Sequence, residues 1–284
     1  MKTIAITGAN GFVGSNLCSF FTNLGYRILK ITRADLSEQK LLENKINQSQ
    51  IVINLAGANI IQRWSESYKK ELYSSRIDTT KKIVDAIEEV ISKPEVFIST
   101  SAVGIYSNDK TYHEKNAEFS DDFLSTLCQD WEEEANKAPT RVVIFRFGIV
   151  LGKNGGALEK MLTPFKLGLW GVIGSGNQAL SFVHLDDLKN AFKFAIDTPA
   201  LHNAYNLCAT IPTTNKGLTK ALGKALNRPT FLPVPEFILN LIFGEGAKVL
   251  TDGQSVIPKR LEDEGFTFEF QDIEKTVEDL CKNG

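Results

Sequence analysis

Short runs of β-branched residues alternate with longer amphipathic segments from the start of the 284-residue chain. Between the first two runs, apolar side chains recur on one helical face from Val13 to Leu24, and Gly25 is placed to end that helix. The predicted strands of this half are Thr3 to Thr7, Arg27 to Ile31, Ile51 to Leu55, Glu95 to Thr100 and Arg141 to Phe145. Such alternation predicts βαβ units and hence an α/β Rossmann fold, a doubly wound parallel sheet.

The pattern changes after Gly148, where glycine-rich loops at 152–156 and 168–176 flank a short amphipathic helix. A second alternation predicts the strand Ala179 to His184, the helix Asp186 to Asp197, the strand Ala204 to Cys208 and the helix Asn215 to Asn227. Prolines at 229, 233 and 235 then interrupt regular structure. We expect a large domain over 1–227, with elements of a smaller α/β substrate subdomain from about 150, and a small helical domain over 228–284.

Composition narrows the classes of function. A hydrophobic content of 43% and a net charge of −2, without a cluster of Lys and Arg, favour a globular protein that does not bind nucleic acid. No apolar run approaches the roughly 20 residues of a membrane-spanning helix, and the N-terminal run is too short for a signal peptide. The four cysteines form no Cys-x-x-Cys pair and the three histidines are dispersed, so we expect reduced thiols and no metal site. These features predict a cytoplasmic protein that stays in water.

A glycine-rich turn joins the first predicted strand to its helix. Gly8 permits a sharp turn, Gly11 lets the backbone approach a pyrophosphate, and Gly14 lets the helix pack closely on the strand. The start of the helix offers free N–H groups and the positive end of the helix dipole. In this strand–turn–helix context the glycines indicate dinucleotide binding, although glycines also mark ordinary tight turns. The predicted cofactor-binding residues of the turn are Gly8, Asn10, Gly11, Phe12, Val13 and Gly14.

Thr32 and Arg33 stand at the end of the second predicted strand. An acidic residue there would hydrogen-bond the adenosine ribose of NAD, whereas an arginine would receive the 2′-phosphate of NADP. We therefore predict that Thr32 and Arg33 bind NADP. Two alternatives stay open: Asp35 could hold the ribose of NAD, and Arg33 could be a solvated loop charge.

The third predicted strand leads into Leu55, Ala56 and Gly57. Small residues at this point let a ribose or an adenine lie against the backbone, so we predict that all three contact the cofactor. A tight strand exit would have a similar composition.

Four motifs are spread over nearly the whole chain: the glycine turn, Asn54 to Gly57, Ser99 to Tyr106 and Phe182 to Leu188. Together they resemble the extended short-chain dehydrogenases/reductases, the NAD-dependent epimerase/dehydratase superfamily. Further motifs resemble its subgroup of epimerase family proteins. These motifs are Arg63-Trp64, Ser75-Arg76, Asp130-Trp131-Glu132, Gly148 to Gly152, Gly174 to Gln178, and the tail from Arg228-Pro229 to Gly265-Phe266. The resemblance implies a Rossmann domain, a C-terminal substrate subdomain and a final domain of unknown function.

Active members of the superfamily use a Ser and a Tyr-x-x-x-Lys pair on a helix, in which the Lys lowers the pKa of the proton-transferring Tyr. By this resemblance, Ser101 and Tyr106 are the candidate catalytic residues, with Tyr106 lining the pocket. The helix that should carry the pair, Phe123 to Glu132, has neither Tyr nor Lys. Tyr106 and Lys110 have the required spacing, but the residues between them are turn formers, so we interpret the match as coincidence. Cys128 could carry a proton, although its apolar neighbours favour a buried structural thiol.

Four residues near the third strand are further candidates. Glu71 and Arg76 resemble subgroup positions that face the cofactor, and as solvated helix charges they would be unremarkable. Arg63 and Trp64 follow the strand where loops rim the ligand crevice, so they could hold an anionic or carbonyl substrate. A surface Arg beside a packed Trp is the alternative.

Two residues of the second half complete the candidate substrate site. Arg146 ends a predicted strand and points towards the crevice, but it could equally pair with a carboxylate that closes the strand. His184 precedes Asp186 and Asp187, which form a predicted helix cap, and the resemblance makes it a structural or pocket-edge residue rather than a base.

Two functions are consistent with these residues. The first is an NADP-dependent oxidoreductase or epimerase-like enzyme for a small carbonyl or hydroxyl compound, with a nucleotide-linked sugar as one candidate. The second is a catalytically silent protein that senses NADP(H) or scaffolds a partner. The oligomeric state stays open.

Overall fold

The computed structural model describes residues 1–166, 171–230 and 232–282. Its strands are β1 (Thr3–Thr7), β2 (Arg27–Ile31), β3 (Ile51–Asn54), β4 (Val96–Ala102), β5 (Thr111–Tyr112), β6 (Arg141–Phe147), β7 (Ile149–Leu151), β8 (Ala179–Leu180), β9 (Phe182–His184), β10 (Asn203–Leu207), β11 (Thr213–Thr214) and β12 (Ser255–Val256). Its helices are α1 (Phe12–Asn23), α2 (Arg33–Ser37), α3 (Gln39–Asn47), α4 (Glu66–Ser74), α5 (Ile77–Glu89), α6 (Phe123–Asn136), α7 (Gly156–Lys166), α8 (Leu185–Asp197), α9 (Asn215–Leu226), α10 (Glu236–Phe243), α11 (Lys248–Thr251), α12 (Lys259–Asp263) and α13 (Ile273–Cys281).

Six parallel strands form the central sheet in the order β10-β6-β4-β3-β1-β2. The strand order reverses between β1 and β3, because the chain builds β2 at one edge before it returns to β3 on the other side of β1. In doubly wound sheets, ligands bind outside the carboxyl ends of the strands at this switch point. The predicted Rossmann architecture is confirmed, and the glycine turn follows a strand of the switch point.

The core lies on both faces of this sheet. Ile4 and Ile6 of β1 pack on one face with side chains of α1 and α8, whereas Ala5 packs on the other with α3 and α5. All five residues of β1 are buried, as expected for a parallel strand covered on both faces. Two helical layers thus hold the carboxyl ends of the strands in place.

The second half differs from the predicted pattern in three respects. The predicted strand from Ala179 to His184 is divided at Ser181, because β8 pairs with β11 and β9 pairs with β7. Strand β10 joins the central sheet beside β6 rather than a separate subdomain. The C-terminal segment, predicted as helical, also contributes β12, which pairs with β5. Residues 168–170 of the second glycine-rich loop lie outside the described residues.

Within the described ranges, no helix is both long and apolar enough to cross a bilayer.

Candidate cofactor and substrate site

The glycine turn has the close packing that its sequence predicts. Gly8 has a φ of +63°, and a Cβ there would lie 2.6 Å from the Leu55 carbonyl oxygen. A Cβ at Gly14 would lie 2.2 Å from the Gly8 carbonyl oxygen. Both positions therefore require glycine for the fold itself.

Gly11 has a different environment. A Cβ there would meet only the Gly8 carbonyl oxygen, at 3.3 Å, and otherwise open space. Gly11 is the N-cap of α1, no side chain caps this helix, and its first turn carries no acidic residue. The first N–H groups of a helix lack intrahelical acceptors, so this end of α1 can bind an anion. The turn thus has the shape and charge that a pyrophosphate needs.

The other predicted residues of the turn have packing contacts as well. Asn10 Oδ1 accepts a hydrogen bond from Lys30 Nζ at 3.2 Å. The Phe12 ring fills the space that side chains on the loop Gly152 to Gly156 would need, since a Cβ at Gly155 would lie 2.3 Å from it. Val13 lines a cavity beside the turn.

Asp35 and Arg33, the two residues considered for the choice between NAD and NADP, differ in their contacts after β2. The Thr32 backbone N–H and hydroxyl donate to one Asp35 carboxylate oxygen at 2.6 and 2.7 Å, and Lys45 Nζ donates to the same oxygen at 2.7 Å. Burial opposes ionisation of Asp35, but the hydrogen bonds from Lys45 and Thr32 outweigh it and lower the pKa of the carboxyl. Asp35 is 6% exposed and one of its carboxylate oxygens accepts three hydrogen bonds, which argues against its binding the ribose of NAD. Arg33 is exposed and has no hydrogen bond or ion pair with any described residue.

The exit of β3 is held by a buried polar network. Thr7 Oγ1 donates to Asn54 Oδ1 at 2.6 Å, and the Leu55 N–H donates to Thr7 Oγ1 at 3.0 Å. Asn54 Nδ2 and Trp131 Nε1 both donate to Thr80 Oγ1, each at 2.9 Å. The network ties the switch-point strands to α5 and α6. It fixes the backbone of Leu55 at the edge of the cavity.

Ala56 and Gly57 continue this exit. The Ala56 N–H donates to Asn54 Oδ1 at 3.3 Å. A Cβ at Gly57 would lie 3.0 Å from Arg76 Cζ. The absence of a side chain at Gly57 therefore leaves room for the Arg76 guanidinium, which packs against this predicted cofactor-binding residue.

A cavity of about 570 Å³ lies next to the turn, at the carboxyl ends of β4 and β6. Val13 of the glycine turn and Leu55 at the exit of β3 are part of its lining. Its other lining is mainly apolar and comes from the loop after β3, the β4–α6 region, the end of β6, α7, segment 173–181 and the C-terminal segment. Among the apolar residues are Trp64, Leu124, Leu127, Phe147, Met161 and Leu180, and the polar groups include Arg76, Ser101, Cys128, Gln178 and Asn215.

Ser101, predicted as catalytic, lies on β4 in this lining. It is 3% exposed, and its hydroxyl has no hydrogen-bond partner of normal geometry. Its neighbour across the cavity wall is Cys128 of α6. Burial raises the pKa of the Cys128 thiol to about 11; Glu132 also raises it, whereas Ser101 and Arg76 lower it. The thiol is therefore protonated at neutral pH.

Tyr106, the second predicted catalytic residue, lines the cavity, but its hydroxyl is already engaged. It donates to Asn206 Oδ1 at 2.8 Å and accepts from Arg146 Nη1 at 2.6 Å. Burial raises the pKa of Tyr106 to about 12, against the lowering effect of Arg146. This geometry does not favour Tyr106 as the proton-transferring group. Lys110 pairs with the exposed Glu118, as the predicted loop implies.

Arg146 closes its strand rather than pointing into the crevice. Its Nε and Nη2 donate to the two carboxylate oxygens of Glu132, both at 2.7 Å, and it does not line the cavity. Of the two interpretations of Arg146, the structure selects the carboxylate pair. Glu132 was missed as a functional neighbour, although its spacing of four from Cys128 places both on one face of α6.

Two other predicted substrate residues also lie outside the cavity lining. Arg63 is exposed, and its Nη1 donates to the Leu241 carbonyl oxygen at 2.7 Å. His184 caps α8, its ring stacks on Phe270 with centroids 3.7 Å apart, and burial lowers its pKa. Tertiary partners occupy both side chains, which argues against substrate binding by Arg63 in this cavity and agrees with a structural role for His184.

Of the remaining predicted residues, Trp64 and Arg76 line the cavity and Glu71 does not. Trp64 is buried in the lining, and its Nε1 donates to the Ile60 carbonyl oxygen at 3.0 Å. Arg76 is in the lining, whereas Glu71 of α4 is exposed and outside it. The contribution of 245–254 was missed, because nothing in this segment's local pattern shows that it closes over the cavity. Among described residues, no group of three or more His, Cys, Asp or Glu side chains could hold a metal ion.

The fold and this geometry define the class: a doubly wound α/β protein with a nucleotide-type glycine turn beside an apolar cavity. The sequence profile of the NAD dependent epimerase/dehydratase family matches residues 4–208, and the chain belongs to this family. A second profile, of the domain of unknown function DUF1731, matches residues 234–280. The family resemblance that the motifs predicted is confirmed.

Relatives cover nearly the whole chain. The chain is 35% identical over 289 residues to the mouse epimerase family protein SDR39U1, covering 98% of this chain and 99% of that protein. It is 36% identical over 296 residues to the chloroplastic SDR39U1 homolog of Arabidopsis thaliana, covering 97% and 85%. The crystal structure of human SDR39U1 (isoform 2) with NADPH has a TM-score of 0.92 and 31% identity, covering 99% of this chain and all of that one.

Proposed function

We propose that this chain binds NADP(H) at the glycine turn and acts as an oxidoreductase or epimerase-like enzyme on a small carbonyl or hydroxyl compound in the cavity. The observation that carries the proposal is an uncapped α1 N-terminus beside an unpartnered Arg33 at the end of β2. The first fits a pyrophosphate and the second a 2′-phosphate. The NADPH in the similar human structure supports the same cofactor.

The backbone of Gly8 to Gly14 would hold the pyrophosphate, Arg33 the 2′-phosphate, and the β3 exit at Leu55 to Gly57 the adenosine half. Thr32 would act indirectly, because its side chain and backbone are committed to Asp35 and so fix the start of α2. When bound, the nicotinamide supplies or accepts a hydride. Val13 and Leu55 are the residues through which the turn adjoins the cavity.

In this proposal, side chains of the cavity provide the hydrogen bonds and the proton that the Tyr and Lys absent from α6 would have provided. Ser101 lies in the lining beside the Cys128 thiol, and its hydroxyl would hold the oxygen of a substrate carbonyl or alcohol. Cys128 stays protonated beside it, so the thiol can donate its proton to that oxygen as a substrate carbonyl is reduced, and it is left as a thiolate. The apolar lining excludes water, which strengthens both hydrogen bonds.

A silent NADP(H) sensor is the second candidate, and one observation favours it. Tyr106 is held by Asn206 and Arg146, and α6 offers a thiol in place of a phenol and lysine. Such a protein would bind the cofactor without turnover. A cytoplasmic location also stays a prediction, and because one relative is chloroplastic, cell fractionation is its test.

The test compares Ser101→Ala with Ser99→Ala in NADPH binding and in NADPH oxidation with a panel of aldehydes and ketones. Ser99 is a matched control, because it is buried and unpaired on the same strand but does not line the cavity. We expect Ser101→Ala to lower turnover by about 10²- to 10³-fold with unchanged NADPH affinity, and Ser99→Ala to change neither. NADPH binding without turnover on any panel member would favour the sensor, and absence of NADPH binding would refute both functions.

A further inference from the structure

Arg76 is a half-buried cation that has no anionic partner among the described residues. Of the five N–H groups of its guanidinium, one on Nη1 donates to the Leu72 carbonyl oxygen at 3.1 Å and one on Nη2 to the Ala58 carbonyl oxygen at 3.0 Å. The other N–H groups have no acceptor among the described residues. The ionisable groups near enough to affect Arg76 are Cys128 and Tyr68, and neither is a carboxylate.

Arg146 is a buried arginine with a structural role, and it provides a comparison with Arg76. Both carboxylate oxygens of Glu132 accept hydrogen bonds from it. A buried charge is costly unless it is paired. Arg76 lies over the Trp131 ring, with 5.4 Å from Cζ to the ring centroid, which compensates only part of that cost. The unpaired charge therefore indicates a binding function for Arg76.

The position of Arg76 identifies where an anion would lie. Arg76 and Ser101 both line the cavity, and both lie close enough to Cys128 to affect its thiol. The glycine turn already has the uncapped end of α1 for the pyrophosphate. An anion on Arg76 thus belongs to the molecule in the cavity rather than to the phosphates at the turn.

The rest of the cavity defines what that molecule can be. Among the described lining residues, the other cation is Lys248, which is exposed, as are the acidic Asp122, Glu245 and Asp252. A nucleoside diphosphate needs several donors and cations. Glu245 is paired with Lys69, but Asp122 and Asp252 have no ion pair with a described residue and would repel a diphosphate. The mainly apolar lining instead fits an apolar body with a single charge.

We propose that the cavity binds a small organic acid, with its carboxylate on Arg76, its apolar body against the apolar lining, and its carbonyl or hydroxyl oxygen near Ser101. This inference rests on the proposed function for its reaction, but not for its binding. The proposal also assigns Arg76 to substrate binding, whereas the sequence resemblance predicted that it faces the cofactor.

The test uses two ligand pairs that differ only in a carboxylate or a methyl group: phenylpyruvate with phenylacetone, and 4-phenyl-2-oxobutanoate with 4-phenyl-2-butanone. Their affinities are measured by calorimetry with and without NADP⁺. We expect at least one acid to bind about tenfold or more tightly than its ketone, the value of one charge-assisted hydrogen-bond pair. Equal affinities in both pairs, or no binding of either acid, would overturn the proposal.

Variants of Arg76 distinguish a role in substrate binding from a role in cofactor binding. Arg76→Gln should abolish the preference for the acid, and Arg76→Lys, which keeps the charge but not the fork, should retain part of it. Arg63→Gln is the matched control, an arginine outside the cavity lining. NADPH affinity should stay within about threefold in all folded variants. An equal loss of NADPH and acid affinity in Arg76→Gln would return Arg76 to the cofactor. If NADPH fails to bind the wild type, the proposed function fails, but the preference in cofactor-free protein still tests this site.

Discussion

Replacement of Arg33 by alanine tests the choice between NADP and NAD. The guanidinium is exposed and unpartnered at the start of α2, so it can fork onto a 2′-phosphate without breaking any contact of the free protein. Charge-assisted hydrogen bonds contribute roughly 1.5 to 3 kcal/mol. Because Arg33 is exposed to solvent, we take the lower end, which corresponds to about a tenfold preference for NADPH over NADH.

Arg27→Ala provides a control with the same change of charge. Arg27 is exposed at the opposite end of β2, six residues away. At about 3.3 Å per residue this is about 20 Å, which exceeds the screening length of about 10 Å at 0.1 M salt. A general loss of positive charge at this distance should leave both affinities unchanged.

Fluorescence titration of NADPH and NADH against the three proteins provides the measurement. We expect Arg33→Ala to remove most of the preference through weaker NADPH binding alone, and the wild-type preference to fall as salt rises. Equal wild-type affinities for the two cofactors, or equal losses of both in Arg33→Ala, would refute the assignment of Arg33 to the 2′-phosphate.

Two further changes test the turn and the loop pair. Gly11→Val should abolish NADPH binding while the protein stays folded, because a Cβ there meets only the Gly8 carbonyl oxygen, at 3.3 Å, and otherwise open space. A folded variant with unchanged NADPH affinity would contradict the turn assignment. Lys110→Ala should leave any NADPH oxidation rate within a few-fold of the wild-type rate, because Lys110 pairs with Glu118 on an exposed loop. A loss of about 10²-fold or more would mean that the Tyr106–Lys110 pair is catalytic.

Local pattern was sufficient for the backbone of the cofactor half. The first two strands have the predicted bounds, because β-branched runs that end at glycine or polar residues favour extended structure over those residues alone. Gly8 and Gly14 were predicted from spacing, since a positive φ and a close helix–strand contact leave no alternative residue. The exposure of Arg33 follows from the same local geometry.

Tertiary structure decided which polar side chains are free. Asp35 and Arg33 are two residues apart, but Lys45 from α3 engages only the first. Tyr106 and Arg146 were candidates from motif and strand position, and distant partners, Asn206 and Glu132, occupy them. The cavity likewise depends on segment 245–254, which lines it and packs against Ala179 and Ser181. Strand and turn preferences act between neighbours in sequence, whereas the pairing of a buried charge depends on which remote side chain the packed fold brings within hydrogen-bond distance.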